Sequence, residues 1–201
     1  MTNQEKLKQI REEIKNDPQN AQYTAKGYEP VYTADSSAKI AIVGQAPGIK
    51  AQESQTCFND RSGDRLRDWL GVDRNTFYDA TKFAILPMDF YYPGKAKTGD
   101  LPPRKGFAEQ WHPLLFEQMP EISLILLVGL YSQKFYLKES KQKNLTETVK
   151  HYQDYLPKYW PLVHPSPLNG RWLKKNPWFE REVIPQLQKR VRKIIHQKAS
   201  E

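Results

Sequence analysis

Four short apolar runs constrain this chain more than any other feature. They are Ile40–Val43, Phe83–Leu86, Ile122–Val128 and Tyr159–Val163. Each stops abruptly: at Gly44, at Pro87, at Gly129 and at His164-Pro165. Short apolar runs bounded by such breakers read as strands buried on both faces. The segments between them carry helical spacing instead. Leu7, Ile10 and Ile14 predict an amphipathic helix near residues 3–16, closed by Asp17-Pro18. Leu66, Trp69 and Leu70 share a face after Ser62-Gly63-Asp64, and Gly71 is a stop signal. Phe107, Trp111, Leu114, Leu115 and Met119 mark another helix, and a further one starts near Tyr131. Val183, Ile184, Leu187, Val191, Ile194 and Ile195 mark a terminal helix that Pro185 should kink or break. Residues 18–38 read as loop, and residues 138–150 as charged and exposed.

Buried strands alternating with helices predict an α/β fold. The expected architecture is a three-layer αβα sandwich with a central four-stranded, mainly parallel sheet. The 201 residues suffice for one domain over 1–201, with a helix and loop at 1–38 and a terminal helix within 178–201. In such sheets a ligand sits outside the carboxyl ends of the strands. Those ends carry Gly44–Gly48, Pro87–Tyr92, Gly129-Leu130 and His164–Asn169. The unusual polar residues therefore fall where the architecture puts a site.

Composition narrows the chemistry. No run approaches the roughly 18 apolar residues of a membrane helix. The first residues lack the apolar core of a signal peptide, so a cytoplasmic protein is expected. One cysteine, Cys57, excludes a disulfide framework or a Cys-rich cluster within one chain, and no metal or cofactor is expected. A net charge of +8 suits a polyanionic partner as well as simple solubility.

Two stretches bear on chemistry. His164 opens "HPSPLN", a loop stiffened by Pro165 and Pro167. It is either a structural histidine or a rigidly held donor for a developing anion. In the same loop Ser166 can bind phosphate and Leu168 is free to project. Phe58, fourteen residues after Gly44, is either core or a flat face for a base. Asp89 is a turn former or a water-positioning carboxylate. Arg104 and Lys105, in "TGDLPPRKG", are ordinary loop cations or phosphate contacts. The basic stretch Gln188–Lys198 reads as a docked terminal helix with a solvated face.

"GQAPG", Phe58, "RSGDRL" and "HPSPLN", in that order, resemble the uracil-DNA glycosylase superfamily. The pattern is similar to that of the iron–sulfur members, G-E-A/G-P-G followed by F-V-G-R-A-G. The "HPSPLN" loop looks more like the members without a cluster. Bacterial uracil-DNA glycosylase-like proteins share "GQAPG", "SGDRLRDW" and "LPPRK". The resemblance covers about residues 39–170 and implies a flipped nucleotide whose N-glycosidic bond is hydrolysed. It implies that His164 meets the leaving base and that Gln45 or Asp89 positions water. Phe58 would stack on the base, with Gln45, Ala46, Pro47, Gly48 and Met88 around it. Pro165, Ser166, Pro167, Leu168, Asn169, Arg104 and Lys105 would contact DNA, Leu168 as the wedge. A monomer acting on DNA is expected.

This sequence departs from the pattern in three places. Gln45 stands where the iron–sulfur members have glutamate, Ala46 where others have an acidic or amide residue, and Pro87 where the family reads the base with asparagine. Two cluster cysteines align with Tyr91 and Trp111, which implies aromatic packing in the cluster's place. Two alternatives to a uracil glycosylase follow: a base- or DNA-binding protein that does not cut, and a glycosylase for another modified base.

Overall fold

The computed structural model describes residues 1–197. Residues 198–201, which include Lys198 and the end of the expected terminal segment, lie outside the described residues. The order of elements is α1 (Asn3–Asn16), α2 (Ala21–Thr24), β1 (Ile40–Val43), α3 (Ile49–Ser54), α4 (Arg61–Leu70), α5 (Arg74–Tyr78) and β2 (Phe83–Ile85). It continues with α6 (Phe107–Glu117), β3 (Leu124–Val128), α7 (Leu130–Leu137), α8 (Leu145–Lys150), β4 (Tyr159–Leu162), α9 (Gly170–Lys175) and α10 (Ile184–Ile195).

Local chemistry explains the boundaries. Thr2 and Glu5 form a reciprocal capping box on α1, and Leu7, Ile10 and Ile14 are its buried stripe. Asp60 caps α4, so that helix begins a turn earlier than its apolar spacing suggested. Gly71 ends it at φ +66°, a left-handed position that favours glycine. Pro185 lies in the first turn of α10, directly after a π-helical turn at Phe179–Val183, so the expected break is present. Two expectations need correction. The 18–38 segment holds a 3₁₀ turn, Pro18–Asn20, and α2. The 138–150 segment is not simply exposed, because α8 buries Thr148 and Val149.

The sheet order is β2-β1-β3-β4 and every pairing is parallel. Ile40 sits opposite Phe83 on one side and Leu124 on the other. The pleat sorts the core into two halves. Ile40, Ile42, Phe83, Ile85, Leu124 and Leu126 face Leu66, Trp69 and Leu70 of α4 and Leu187, Val191 and Ile194 of α10. Ala41 and Val43 face the other way, with Ile125 and Leu127. Ala84 joins the cluster of α1 and α6, which includes Leu7, Ile14, Trp111 and Leu115. Helices thus cover both faces, and each fully buried large apolar side chain contributes roughly 1.5–3 kcal/mol. No helix among the described residues is long and apolar enough to cross a membrane.

This order places a topological switch between β1 and β3. The chain leaves β1 toward one edge and β3 toward the other, which opens a crevice at the carboxyl ends.

Candidate active site

A cleft of ≈ 370 Å³ opens at that crevice. Its lining includes Gly44–Gly48 after β1, Pro87 after β2, and His164, Ser166 and Leu168 after β4. Phe58, Asn59 and Asp60 come from the loop before α4.

The spacing Gly44, Phe58, Gly63 has a steric cause. A Cβ on Gly44 would meet the Phe58 ring at 3.3 Å, so the ring lies directly against that backbone. A Cβ on Gly63 would sit 1.7 Å from the Phe58 carbonyl oxygen, which no side chain can do. Phe58 itself holds φ +55°, a conformation that costs a non-glycine residue about 1–3 kcal/mol. Its surroundings hold it there. Arg67 Nη1 donates to the Phe58 carbonyl at 3.3 Å, and the Tyr78 hydroxyl donates to the Cys57 carbonyl at 2.8 Å. Phe77 meets the Phe58 ring edge-on at 6.2 Å. The sequence reading missed Arg67. Its signal was the i,i+3 pair with Asp64, which meets it at 2.7 Å.

The loop after β1 is zipped to the loop after β2. The Met88 N–H donates to the Gly44 carbonyl at 3.0 Å and the Asp89 N–H to the Gln45 carbonyl at 3.3 Å. Buried Gln52 of α3 ties the loop after β2 to the N-terminal segment, donating to the Glu29 carbonyl and accepting the Tyr92 N–H. The Gln45 side chain lines the cleft and has no hydrogen-bond partner among the described residues.

His164 is fixed by its own loop. Its Nδ1 accepts the Ser166 N–H at 3.1 Å, so the neutral ring carries its proton on Nε2. Burial lowers its pKa, partly opposed by the charge of Asp60. Asn169 donates to the His164 carbonyl at 2.8 Å, and Arg65 donates to the Ser166 carbonyl at 3.0 Å. The Ser166 oxygen accepts the Leu168 N–H at 3.2 Å, which leaves the hydroxyl proton free to donate. Leu168 is 91% exposed, a leucine held in solvent by a rigid turn. Pro165 is buried under the loop and Pro167 is exposed.

The loop after β2 corrects three expectations. Asp89 is fully buried and does not line the cleft. Arg104 Nε reaches its Oδ2 at 2.7 Å and Nη2 its Oδ1 at 2.9 Å, while the N–H groups of Tyr91 and Arg104 donate to it as well. A buried carboxylate needs such partners, and with all of them in place it has no oxygen left for a water in the cleft. Arg104 is equally committed. Its Nη1 donates to the Asn20 side chain and the Gln19 carbonyl, and its guanidinium lies over Tyr23, Tyr91 and Phe107. It is therefore a latch between the N-terminal segment and the proline-rich loop, not a phosphate contact. Met88 packs in the core with Val43 and Ala108, away from the cleft. Lys105 is exposed and outside the cleft lining. Tyr91 and Trp111 share one buried cluster, and Tyr91 stacks on Tyr23 at 4.6 Å.

Pro87 lines the cleft, but its carbonyl is turned to the core. His112 Nε2 donates to it at 2.9 Å, and His112 Nδ1 accepts the Tyr136 hydroxyl at 2.6 Å. Burial pushes the His112 pKa down to about 4, so the ring stays neutral. Nothing local in the sequence marked His112, because both partners are distant in the chain.

The cleft thus combines a glycine-backed aromatic face, a neutral histidine offering Nε2–H and a projecting leucine, all at the carboxyl ends of a parallel sheet. The family model for the uracil DNA glycosylase superfamily matches residues 30–188. The chain belongs to that superfamily. The match spans the whole sheet, both glycine-constrained loops and the first turn of α10. Superfamily membership makes DNA the expected substrate and glycosylase chemistry the expected reaction. Among the described residues no group of three or more His, Cys, Asp and Glu side chains could hold a metal ion.

Proposed function

We propose that the chain is a DNA glycosylase that hydrolyses the N-glycosidic bond of uracil or another damaged base flipped out of DNA. The observation that carries this reading is the state of His164. A neutral imidazole with Nδ1 occupied by the Ser166 N–H can only donate from Nε2. A donor fixed before the reaction is what a departing base anion requires, and such a donor contributes about 2.7–4 kcal/mol to lowering a barrier. Phe58 supplies the face on which the base stacks, and its ring lies against Gly44. Leu168 enters the space the base leaves, and Ser166 holds a phosphate.

The test uses single- and double-stranded oligonucleotides carrying uracil, hypoxanthine or xanthine. Abasic products are then cleaved with alkali. Strand cleavage that disappears in His164→Ala supports the reading and identifies the base.

A second reading has a specific observation behind it. Asp89 is sealed away, and Gln45 offers an amide where a carboxylate would accept a proton. A protein that binds a flipped base without cutting fits those facts. Salt-dependent binding with no cleavage of any of the three substrates would decide for it.

A further inference from the structure

The cleft holds a carboxylate that its role as a helix cap conceals. Asp60 lines the cleft together with Gln45, Phe58 and His164. Its Oδ1 accepts the Gly63 N–H at 3.0 Å and so caps α4. Its other oxygen has no hydrogen-bond partner among the described residues, and the residue is exposed in the free protein. The other carboxylate in the lining is Asp100. It belongs to the short hairpin in which Lys95 bridges to Asp100, near Gly48 and 3.4 Å from the Tyr92 hydroxyl.

Breaking an N-glycosidic bond puts opposite charges at the two ends of one bond. The base gains negative charge and the sugar becomes oxocarbenium-like. A donor for the first and a carboxylate for the second must therefore flank the same few ångströms. The negative charge of Asp60 favours protonated His164, against the effect of burial, whereas Asp100 sits by Gly48 and the Tyr92 hydroxyl. The positions expected to handle water are occupied by an amide at Gln45, a methyl group at Ala46 and a carboxylate sealed by Arg104 at Asp89.

We propose that Asp60 is the carboxylate that activates water in this cleft, paired with His164 across the scissile bond. This rests on the glycosylase reading. The C1′–N bond breaks and its electron pair leaves on the base, whose anion accepts a hydrogen bond from His164 Nε2–H. The water oxygen bonds to C1′ while one water proton passes to Asp60. That proton then moves to the base anion through solvent. The products are the neutral base and a sugar carrying a 1′ hydroxyl, and Asp60 is again a carboxylate.

The test is Asp60→Asn. Asparagine caps helices as well as aspartate, so α4 is retained. Single-turnover excision should fall about a hundredfold or more. Affinity for an oligonucleotide with a non-hydrolysable 2′-fluoro analogue should stay within about threefold, as a lost water activator requires. The His164 titration, followed by NMR, should move to lower pH because the charge that raises it is gone. Asp100→Asn is the comparison and should lose less. Excision by Asp60→Asn within twofold of an active wild type overturns the assignment, as does a larger loss in Asp100→Asn. An unmoved His164 titration overturns the flanking geometry, whether or not the protein turns over. A wild type that excises none of the three bases overturns the glycosylase reading itself, and the assignment with it.

Discussion

The loops after β2 and after β4 look alike in sequence and differ in what they leave free. Both follow a buried strand, both begin with or near a proline, and both carry an ionisable residue. After β2, Asp89 meets Arg104 and two backbone N–H groups, and Arg104 meets Asn20, Gln19 and three aromatic rings. Both charged side chains there are spent on holding the chain together. After β4, His164 uses one ring nitrogen within its own loop and keeps the other for a ligand. Ser166 keeps its hydroxyl proton and Leu168 stays in solvent. A site is recognised by unspent capacity on a rigid support, and a strand-end carboxylate without it is structure.

The largest expected effect would break the latch. Arg104→Met leaves Asp89 buried and unpaired and should destabilise the fold by about 3–5 kcal/mol. A fall in melting temperature of roughly 10 °C is the expected readout. A change below about 1 kcal/mol would erase the distinction between the two loops. His164→Ala should act on the other quantity. Its excision rate should drop about 10²–10³-fold, with a smaller loss of stability than Arg104→Met shows in the same denaturant titration.

Acid sharpens the comparison further. His112 holds the Pro87 carbonyl only as a neutral ring, and its folded pKa of about 4 lies below the ordinary histidine value. The unfolded chain therefore binds a proton first. The stability held at neutral pH should fall as pH drops below about 6.5, by roughly 3 kcal/mol once it passes 4. His164 shifts in the same direction and adds to the loss over the same descent. Urea titrations between neutral pH and pH 4 measure it, and a flat profile would contradict a neutral, buried His112.

The smallest effect belongs to Leu168. At 91% exposure, Leu168→Ala should change stability by less than about 0.5 kcal/mol. It should weaken binding to a duplex carrying the target base about five- to tenfold, as expected for a leucine side chain only partly buried in the complex. Binding to the same base in a single strand should hardly change, since no stack remains to be filled. Equal losses on both substrates would remove the wedge role.

Much of this was legible from residue order. The strands begin and end within two residues of the apolar runs, because a run short of a helix and closed by a breaker has few other solutions. Gly44, Phe58 and Gly63 were readable as a spaced set, and the fold supplies the reason: the Phe58 ring lies against Gly44 and the Phe58 carbonyl against Gly63. What was not legible were pairings across the chain. Asp89 and Arg104 are fifteen residues apart, and nothing near either names the other. His112 and Pro87 are a similar case, and Met88 faced the core by the accident of which side of the loop it took.

The sequence by itself determined the strands, the glycine-backed aromatic wall, the rigid histidine loop and, through them, the family. These follow from local sterics and periodicity, which act between residues close in the chain. Only the tertiary structure decided which ionisable groups are spent and which are free. That outcome depends on burial and on partners brought together from distant segments. It is why Asp89, read as a turn former or a water-positioning carboxylate, is sealed under Arg104, while Asp60, which the sequence reading did not single out, lines the cleft together with His164.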